Sequence, residues 1–579
     1  MQYRAFLFPL LFLTTAAFSQ VDFQNNIDSL THNVLAGNKI SGGAAVLVDV
    51  GAGKNYYSGH GKAKADGIEV TEQTQFRIGS VTKTFTAIAV LQLAERGLLD
   101  LHAPTENYLP DLKKMKRSAQ MRAFTAHDLL THSAGLRGEY NNALFVDKPS
   151  ADCLPEYIVQ DTILIPPGHI QSYSNFGYGI LGCLIAEVSG MSYGDYLREY
   201  IFAPAGMNDS GLYRDLKVNE RMSDGFLTEG INVAEPSIQD LSAGDLVSTA
   251  ADMQRFLMMM LQKGKIDGKQ ILPTAAWEKM HTDQIGELTL KAGNEFGYGL
   301  FFERSKAVSG AQIGTIREHG GDTRLFHTAM FYASEAGVGV TVMTNTEHGA
   351  RAARRTAKNI FENYLQEVKG FDLTEKEKKE TETTAAPGLT IDKLTGEYGV
   401  GIGAITLKKR GKRKFKAKTD FKSPNFKLKE LQPGVYSVKV ILLGLVPLKL
   451  KKTRFYFEQH GDDIYIKQQQ SDAPSGKYVA KKRRNNYPVA DWKKHTGDYR
   501  VLEARGVGWN MYPTTLRVKN GLIRLTMTDP LNGNTQELTF EAVSDTFAET
   551  NIVGRGVGEY IRVLDNGNLF YSGFELEKK

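Results

Sequence analysis

Cysteine and long apolar runs are both scarce in this sequence of 579 residues. Its only cysteines are Cys153 and Cys183, which excludes a fold held together by several disulfides. Cys183 lies in an apolar run, where a buried free thiol and one half of a disulfide both fit the sequence. No segment reaches the ~20 apolar residues of a membrane-spanning helix. The sequence therefore predicts neither a disulfide scaffold nor an integral membrane protein.

The first residues have the pattern of an export signal. Arg4 precedes an apolar run over residues 5–13, and Ala17-Phe18-Ser19 follows before Gln20. We therefore predict a signal peptide at residues 1–19 and a secreted or periplasmic protein. A membrane anchor is the disfavoured alternative, because the apolar run is too short to span a bilayer.

The two parts of the chain differ in charge. Residues 391–579 contain 34 Lys and Arg against 20 Asp and Glu, a balance of +14, which leaves 37 against 45, or −8, for residues 1–390. Lysines alternate with other residues at Lys414, Lys416 and Lys418, a spacing that places them on one face of a strand. This face is either solvated or edge-protecting, or it attracts an anionic cell-envelope polymer. Nucleic acid is not an expected partner of an exported protein, and the sequence does not indicate an oligomeric state.

The order of patterns predicts an α/β domain over residues 20–370. A helix at residues 22–38 precedes a hairpin at residues 42–61, several helices follow, and a second hairpin at residues 315–343 leads to a closing helix at residues 351–368. This order predicts a mixed, largely antiparallel sheet flanked by helices, with an inserted helical lobe.

The remainder is predicted to be all-β. A linker at residues 371–389 is rich in Lys, Glu and Thr and ends at Pro387-Gly388. Beyond it, residues 390–579 read as strands. Leu394-Thr395-Gly396-Glu397-Tyr398 and His495-Thr496-Gly497-Asp498-Tyr499 resemble each other at a separation of 101 residues, which indicates two related units at about 390–490 and 491–579.

Ser80 is the candidate nucleophile. It opens an apolar helical segment that Gly97 would end, and Lys83 lies three residues further on, so both side chains share one helix face. Apolar neighbours would desolvate Lys83 and lower its pKa toward that of a base.

Tyr173 is the candidate second base. It follows Pro166-Pro167-Gly168 and precedes an apolar helix, so it lies at a loop-to-helix junction. We expect Lys83 to stabilise its phenolate, and Asn175 to hold Lys83 and donate to a substrate carbonyl. A second Tyr-x-Asn motif, Tyr140-Asn141-Asn142, lacks this lead-in and is the weaker candidate.

His319-Gly320-Gly321 is the candidate third side of the site. Glycines at a strand let a substrate backbone approach closely, and we expect the backbone N–H groups of Ser80 and Asp322 to bind an oxyanion. No spacing typical of a metal site occurs, so no metal or cofactor is predicted. His127 and His132 lie in a short helical segment that Thr125 would cap and Gly135 would end, and both are interpreted as structural.

These three motifs resemble those of the penicillin-recognising serine hydrolases of the class C β-lactamase and D-alanyl-D-alanine carboxypeptidase type. The resemblance covers about residues 24–370 and implies an acyl-enzyme on Ser80 with Lys83 and Tyr173 as bases. It also implies that His319, where class C β-lactamases usually carry lysine, favours peptidase or esterase activity. Arg324-Leu325 replaces the Pro-Gly of many relatives, and residues 390–579 resemble appended lipocalin-like β modules.

The resulting prediction is a secreted serine hydrolase that cleaves amides or esters, with peptides containing D-residues as favoured substrates, as in D-aminopeptidases and carboxypeptidases. The alternatives are a carboxylesterase, a weak β-lactamase, or a non-catalytic penicillin-binding or envelope-binding sensor. The expected partner is a small peptide, ester or β-lactam.

Overall fold

The structure is a computed structural model that describes most of the chain. The described residues are 23–138, 145–146, 159, 161–216, 220–286, 288–290, 295–304, 313–373, 389–400, 403–419, 426–442, 446–470, 473–483, 489–502, 513–519, 521–528, 535–553 and 556–579. The predicted signal peptide, the motif Tyr140-Asn141-Asn142 and most of the predicted linker lie outside these residues.

The first part of the chain contains sixteen described strands, seven of which form one sheet. They are β1 (Gly42–Asp49), β2 (Lys54–Gly61), β3 (Phe76–Arg77), β4 (Phe145–Val146), β5 (Gly211–Leu212), β6 (Gly225–Thr228), β7 (Ile231–Val233), β8 (Ser237–Ile238), β9 (Leu246–Ser248), β10 (Lys265–Ile266), β11 (Lys269–Gln270), β12 (Glu295–Phe296), β13 (Phe301–Arg304), β14 (Thr315–Asp322), β15 (His327–Ala333) and β16 (Val338–Thr344).

The main sheet has the order β12-β13-β14-β15-β16-β1-β2, and every neighbouring pair is antiparallel. The two predicted hairpins meet in its centre, because β1 pairs with both β2 and β16. The predicted α/β fold, with an antiparallel sheet flanked by helices, is thereby confirmed. The sheet is not mixed, because it contains no parallel pair among the described strands.

Helices cover both faces of this sheet. They are α1 (Gln24–Gly37), α2 (Thr82–Glu95), α3 (Ala126–Leu130), α4 (Asn175–Ser189), α5 (Tyr193–Leu197), α6 (Ala203–Ala205), α7 (Tyr213–Leu216), α8 (Leu241–Gly244), α9 (Ala250–Leu261), α10 (Thr274–Met280) and α11 (Ala350–Asn363). Short 3₁₀ turns occupy Gly79–Val81, Thr105–Asn107 and Pro110–Lys114, and π turns occupy Arg198–Phe202 and Tyr364–Val368. None of the described helices is both long enough and apolar enough to cross a membrane.

Every residue of β1 is buried because its side chains alternate between two apolar clusters. Ala44 and Val46 join the larger cluster with α2, α4 and α9. Ala45 and Leu47 join the smaller one with α1 and α11. The larger cluster encloses α2, the helix that directly follows the turn with the candidate nucleophile.

Two helix-end predictions had different outcomes. α2 ends at Glu95, and Gly97 follows with a φ of +71°, as expected for a helix-stopping glycine. Gly135 was predicted to end the short helix that Thr125 caps. Thr125 does cap α3, with Asp128 completing a capping box, but α3 ends at Leu130. The prediction for Gly135 is therefore wrong, because His132 adopts a φ of +59° and already turns the chain.

The C-terminal part forms two closed antiparallel barrels of eight strands each. The first contains β17 (Gly396–Val400), β18 (Gly403–Lys409), β19 (Lys414–Thr419), β20 (Phe426–Gln432), β21 (Val435–Leu442), β22 (Val446–His460), β23 (Asp463–Gln470) and β24 (Ala473–Lys482). The second contains β25 (Gly497–Val501), β26 (Thr514–Lys519), β27 (Leu522–Thr528), β28 (Thr535–Ala542), β29 (Phe547–Glu549), β30 (Tyr560–Val563), β31 (Leu569–Tyr571) and β32 (Phe574–Lys578). A short helix, α12 (Ile391–Leu394), precedes the first barrel, and a 3₁₀ turn, Asp491–His495, precedes the second.

The predicted repeat forms the first strand of each barrel. The Tyr398 hydroxyl donates to the Leu394 carbonyl, and the Tyr499 hydroxyl donates to the His495 carbonyl, four residues back in each case. Where the first strand of each barrel pairs with the last, Lys482 lies opposite Tyr398 in the first barrel and Lys578 lies opposite Tyr499 in the second. The two units are thus built on the same local arrangement.

Candidate active site

Ser80 lies where a short turn enters the buried helix α2. It is the middle residue of the 3₁₀ turn Gly79–Val81, directly before Thr82. Gly79 has a φ of +51°, and a Cβ there would lie 2.6 Å from the backbone nitrogen of Asp322. Glycine at this position therefore allows β14 to approach the nucleophile.

Lys83 is fully buried and is held by three oxygen atoms. Its Nζ lies 3.1 Å from Ser80 Oγ, 2.7 Å from Asn175 Oδ1 and 2.6 Å from the Ala243 carbonyl oxygen. An ammonium would donate to all three atoms. A neutral amine would donate to Asn175 and Ala243 and would direct its lone pair at the Ser80 hydroxyl, which is the geometry of a general base.

The Tyr173 hydroxyl hydrogen-bonds with the Ser80 side chain, and its ring lies 4.9 Å from Lys83 Nζ. Burial raises the pKa of Tyr173 above its ordinary value, the Asp322 charge raises it further, and the hydrogen bond with Ser80 opposes this shift. Loss of hydration on burial thus works against the phenolate expected from the sequence and favours the neutral phenol. A neutral Tyr173 phenol beside Ser80 can donate a proton.

His132 supports Tyr173 from behind. The two rings lie 4.3 Å apart, and His132 Nδ1 accepts a hydrogen bond from the Ser174 backbone N–H at 3.1 Å. His127, by contrast, hydrogen-bonds with the Tyr298 hydroxyl at 2.7 Å. Neither histidine contacts Ser80 in the described contacts, in keeping with their structural interpretation.

Asn175 is the first residue of α4, and Ser174 caps that helix by accepting from the Gly177 N–H. The Asn175 backbone N–H donates to the Gly138 carbonyl at 2.8 Å. The Ser174 hydroxyl donates to the Arg137 carbonyl at 2.7 Å. The segment with Arg137 and Gly138 therefore fixes the position from which Asn175 reaches Lys83.

His319 is buried and neutral. Burial and the Lys83 charge lower the pKa of His319 to about 3. Its Nδ1 donates to the Gly320 carbonyl at 2.6 Å, and its buried Nε2 has no hydrogen-bond partner among the described residues. His319 thus provides an uncharged hydrogen-bond acceptor at this side of the site.

The backbone amides of Ser80 and Asp322 are brought together by Gly321. A Cβ at Gly321 would lie 1.9 Å from the Ile78 carbonyl oxygen and 3.0 Å from the Ser80 nitrogen. The Asp322 carboxylate accepts from His327 Nδ1 at 2.6 Å and leaves only its backbone to face Ser80. This arrangement fits the predicted oxyanion-binding pair.

Several residues of the site were missed from the sequence. Burial raises the pKa of Asp240 to about 6, and the Lys83 charge opposes this shift, so Asp240 lies close enough to Lys83 for their charges to interact, although no motif marks it. Next to Gly138, whose carbonyl accepts from the Asn175 N–H, Arg137 pairs with Asp161 at 2.7 Å and with Glu559 of the second barrel at 3.1 Å. Among the described residues, no group of three or more His, Cys, Asp or Glu side chains could hold a metal ion.

Cys183 of α4 is disulfide-bonded, which decides between the two alternatives that its apolar surroundings left open. The only other cysteine of the chain, Cys153, lies outside the described residues.

The fold and the constellation of Ser80, Lys83 and Tyr173 define a serine hydrolase with a lysine and a tyrosine beside the nucleophile. The beta-lactamase family model matches residues 27–364, more than half of the sequence, and the chain belongs to this family. The motifs at Ser80, Tyr173 and His319 resemble those of the same family.

Two curated relatives are similar in sequence to part of the chain. The putative penicillin-binding protein PbpX of Bacillus subtilis is 35% identical over 235 residues, which are 40% of this chain and 53% of the relative. Penicillin-binding protein 4 of Amycolatopsis lactamdurans is 30% identical over 272 residues, 44% of this chain and 69% of the relative. The chain thus spans about half of PbpX and about two thirds of penicillin-binding protein 4.

Solved structures extend the similarity in fold into the C-terminal part. The octameric penicillin-binding protein homologue from Pyrococcus abyssi covers 79% of this chain and 99% of its own, with a TM-score of 0.52 and 22% identity. The structure of SurE covers 79% of this chain and 98% of its own, with a TM-score of 0.56 and 19% identity.

Proposed function

We propose that the chain hydrolyses amide or ester bonds through an acyl-enzyme on Ser80, with peptides that contain D-residues as its favoured substrates. The observation that carries this proposal is the convergence of Lys83 Nζ and the Tyr173 hydroxyl on one serine oxygen. The names of the penicillin-binding relatives agree with a peptide-like or β-lactam acyl donor.

The geometry favours different steps for Lys83 and Tyr173. In the form of the enzyme whose Lys83 is a neutral amine, Lys83 takes the proton from Ser80 as the Ser80 oxygen attacks the carbonyl carbon. The backbone amides of Ser80 and Asp322 stabilise the resulting oxyanion. Tyr173, which is protonated, gives its proton to the leaving nitrogen or oxygen, and the ammonium of Lys83 then returns a proton to Tyr173. A water molecule then attacks the carbonyl carbon of the acyl-enzyme, and the same proton transfers in the reverse order release the acyl group and restore Ser80.

The proposal is tested by covalent labelling of the full-length protein with a fluorescent fluorophosphonate and with a fluorescent penicillin. We expect adducts on the peptide that contains Ser80, none in Ser80→Ala, and turnover of D-alanyl peptides above that of their L-isomers. A label elsewhere, or none, would contradict the acyl-enzyme. Any turnover that depends on Ser80 would exclude a purely binding or sensing protein.

A carboxylesterase is the second candidate, and neutral His319 favours it. An uncharged imidazole provides no cation for the free carboxylate of a carboxypeptidase or β-lactam substrate, but it is compatible with an ester. We expect His319→Lys to accelerate acylation by benzylpenicillin and to slow hydrolysis of a neutral ester. If His319→Lys slows both reactions equally, the charge at this position does not select the substrate.

Export of the protein and a lipocalin-like relationship of the two barrels are also proposals. The disulfide at Cys183 supports folding in an oxidising compartment, as a signal peptide at residues 1–19 would require. Cell fractionation and sequencing of the mature N-terminus would test export. An anionic envelope polymer as a partner of the basic region is developed below from the positions of the lysines.

A further inference from the structure

Lysines lie directly opposite one another on four neighbouring strands of the first barrel. Lys408 of β18 pairs with Lys416 of β19, Lys416 pairs with Lys427 of β20, and Lys427 pairs with Lys439 of β21. All four are exposed. The backbone register continues to Lys449 of β22. We call Lys408, Lys416, Lys427 and Lys439 the lysine row.

No carboxylate neutralises the lysine row within the described part of the chain. The nearby ion pairs join Lys409 to Asp392 and Arg413 to Glu430, and neither pair includes a member of the row. A second pair of exposed lysines on β19 and β20, Lys414 opposite Lys429, adds positive charge to the same region. The lysine row is therefore a surface of uncompensated positive charge.

This arrangement costs stability and is not explained by protection of a sheet edge. Like charges directly opposite on neighbouring strands are separated by only ~5 Å at Cβ and destabilise the sheet. Lysines often protect exposed edges, but β17 pairs with β24 and closes the barrel. The edge-protecting interpretation of these lysines therefore does not fit the closed barrel. Of the other two interpretations, a solvated face and a face that attracts a polyanion, only the second offsets the repulsion between opposite lysines.

The shape of the row indicates the kind of ligand. It crosses four of the eight strands and so follows about half of the barrel wall, over roughly 14 Å at the usual strand spacing. A flat bilayer would touch only part of such a curved line, whereas a flexible polymer can follow it. The exposed side chains of β19 are three lysines, with no apolar group to insert into lipid.

We propose that the lysine row binds a flexible linear polyanion whose carboxylate or phosphate groups recur along its chain. The charges of the two parts of the chain also direct such a polymer to the barrels. Residues 391–579 carry a balance of +14 and attract a polyanion, whereas residues 1–390 carry a balance of −8 and repel it. The bound polymer would hold the hydrolase beside an anionic matrix without entering its active site. This inference does not depend on the acyl-enzyme.

The test measures binding of fluorescent poly-L-glutamate to the full-length protein by anisotropy at several salt concentrations. The row variant carries Lys408→Gln, Lys416→Gln, Lys427→Gln and Lys439→Gln. The matched control has the same change in net charge at exposed lysines of the hydrolase part, through Lys54→Gln, Lys113→Gln, Lys265→Gln and Lys269→Gln.

We expect the row variant to bind at least about tenfold more weakly, and the slope of log affinity against log salt to fall by about 3, the counterions released by four lysines. The control should change affinity less than about twofold. Equal weakening in both variants, or no binding by the wild type, would overturn the proposal. So would binding to phosphatidylglycerol vesicles without binding to poly-L-glutamate, which would identify a membrane surface instead.

Folding does not confound this experiment. Replacement of the four lysines relieves repulsion between them, so the melting temperature of the row variant should equal or exceed that of the wild type. Labelling of Ser80 by fluorophosphonate should be unchanged in both variants, which separates loss of polymer binding from loss of the hydrolase.

Discussion

The guanidinium of Arg137 donates to the carboxylate of Glu559 at 3.1 Å, across a separation of 422 residues. Glu559 also accepts a hydrogen bond from the Gly138 backbone N–H, and the Gly138 carbonyl accepts from the Asn175 N–H. Because Asn175 holds Lys83 at 2.7 Å, a short series of bonds joins the second barrel to the nucleophile. The barrel is thus part of the support of the active site.

Loss of the Glu559 carboxylate should lower turnover more than substrate binding. We expect Glu559→Ala to reduce kcat about tenfold, with KM changed less than about twofold, because Asn175 and Lys83 shift relative to Ser80. Glu559→Gln keeps an acceptor for Gly138 and should restore most of kcat. Glu577→Ala, which removes an exposed partner of Arg500, is the control. A kcat that is equal in Glu559→Ala and the control would contradict this positioning role.

The same carboxylate should make stability depend on pH. Burial raises the pKa of Glu559 from 4.5 to about 7; Arg137 opposes this shift and the Asp161 charge adds to it, while Tyr560 donates to Asp161. The folded carboxyl holds its proton to higher pH than the unfolded one. Its stabilising contribution is therefore complete below pH 4.5 and is lost as the pH rises through 7, up to about 3 kcal/mol.

This dependence is measured as the difference in melting temperature between pH 5.5 and 8.5, for the wild type and for Glu559→Gln. We expect the wild type to lose more stability than the variant, because glutamine does not titrate. Other ionisable groups act equally in both proteins and cancel in the comparison. The same fall in both proteins would remove Glu559 as its cause.

The two glycines after His319 should respond very differently to a methyl group. A Cβ at Gly321 meets the Ile78 carbonyl oxygen at 1.9 Å, whereas the nearest atom to a Cβ at Gly320 is 3.8 Å away. We expect Gly321→Ala to lower kcat/KM by about 10²-fold or more, because β14 and the Asp322 amide are displaced from Ser80. Gly320→Ala, the matched control, should stay within about threefold, and similar losses in both would argue against the amide pair.

Tyr173→Phe should separate proton donation from nucleophilic attack. Because burial favours the protonated form of Tyr173 beside Ser80, loss of its hydroxyl should cost about 10²–10⁴-fold on amides and alkyl esters, whose leaving groups need a proton. A p-nitrophenyl ester has a better leaving group and should lose less than about tenfold. Kinetics on the two substrates, with Tyr178→Phe as the control for loss of a buried hydroxyl, measure the difference. A uniform loss on both substrates would assign Tyr173 to activation of Ser80 instead.

The local part of the site could be predicted from spacing and composition. Ser80 and Lys83 share a helix face because they are three residues apart, and Tyr173 lies at the junction that Pro166-Pro167-Gly168 indicates. The hairpin patterns also specify the centre of the sheet, because alternation sets which residues of β1 face each apolar cluster.

Long-range contacts and burial could not be predicted in the same way. No periodicity relates Arg137 to Glu559, and the direction of the Tyr173 pKa shift depends on loss of hydration that appears only in the packed site. The alternation at Lys414, Lys416 and Lys418 indicates one exposed face, but it does not reveal which lysines stand opposite one another. That information comes from the barrel register.

The contact between the second barrel and the hydrolase part also sets the smallest unit that can work. Ile170 and Leu290 are buried against Tyr465, Ile552 and Val557 of the barrels, and Arg137 keeps one of its two carboxylate partners there. A protein cut after the hydrolase part would expose this apolar patch and would lose that partner. We therefore expect the smallest active enzyme to be the chain with both barrels. A version that ends after the hydrolase part should aggregate through the exposed apolar patch, should be poorly ordered around Asn175 and should have a lower turnover rate.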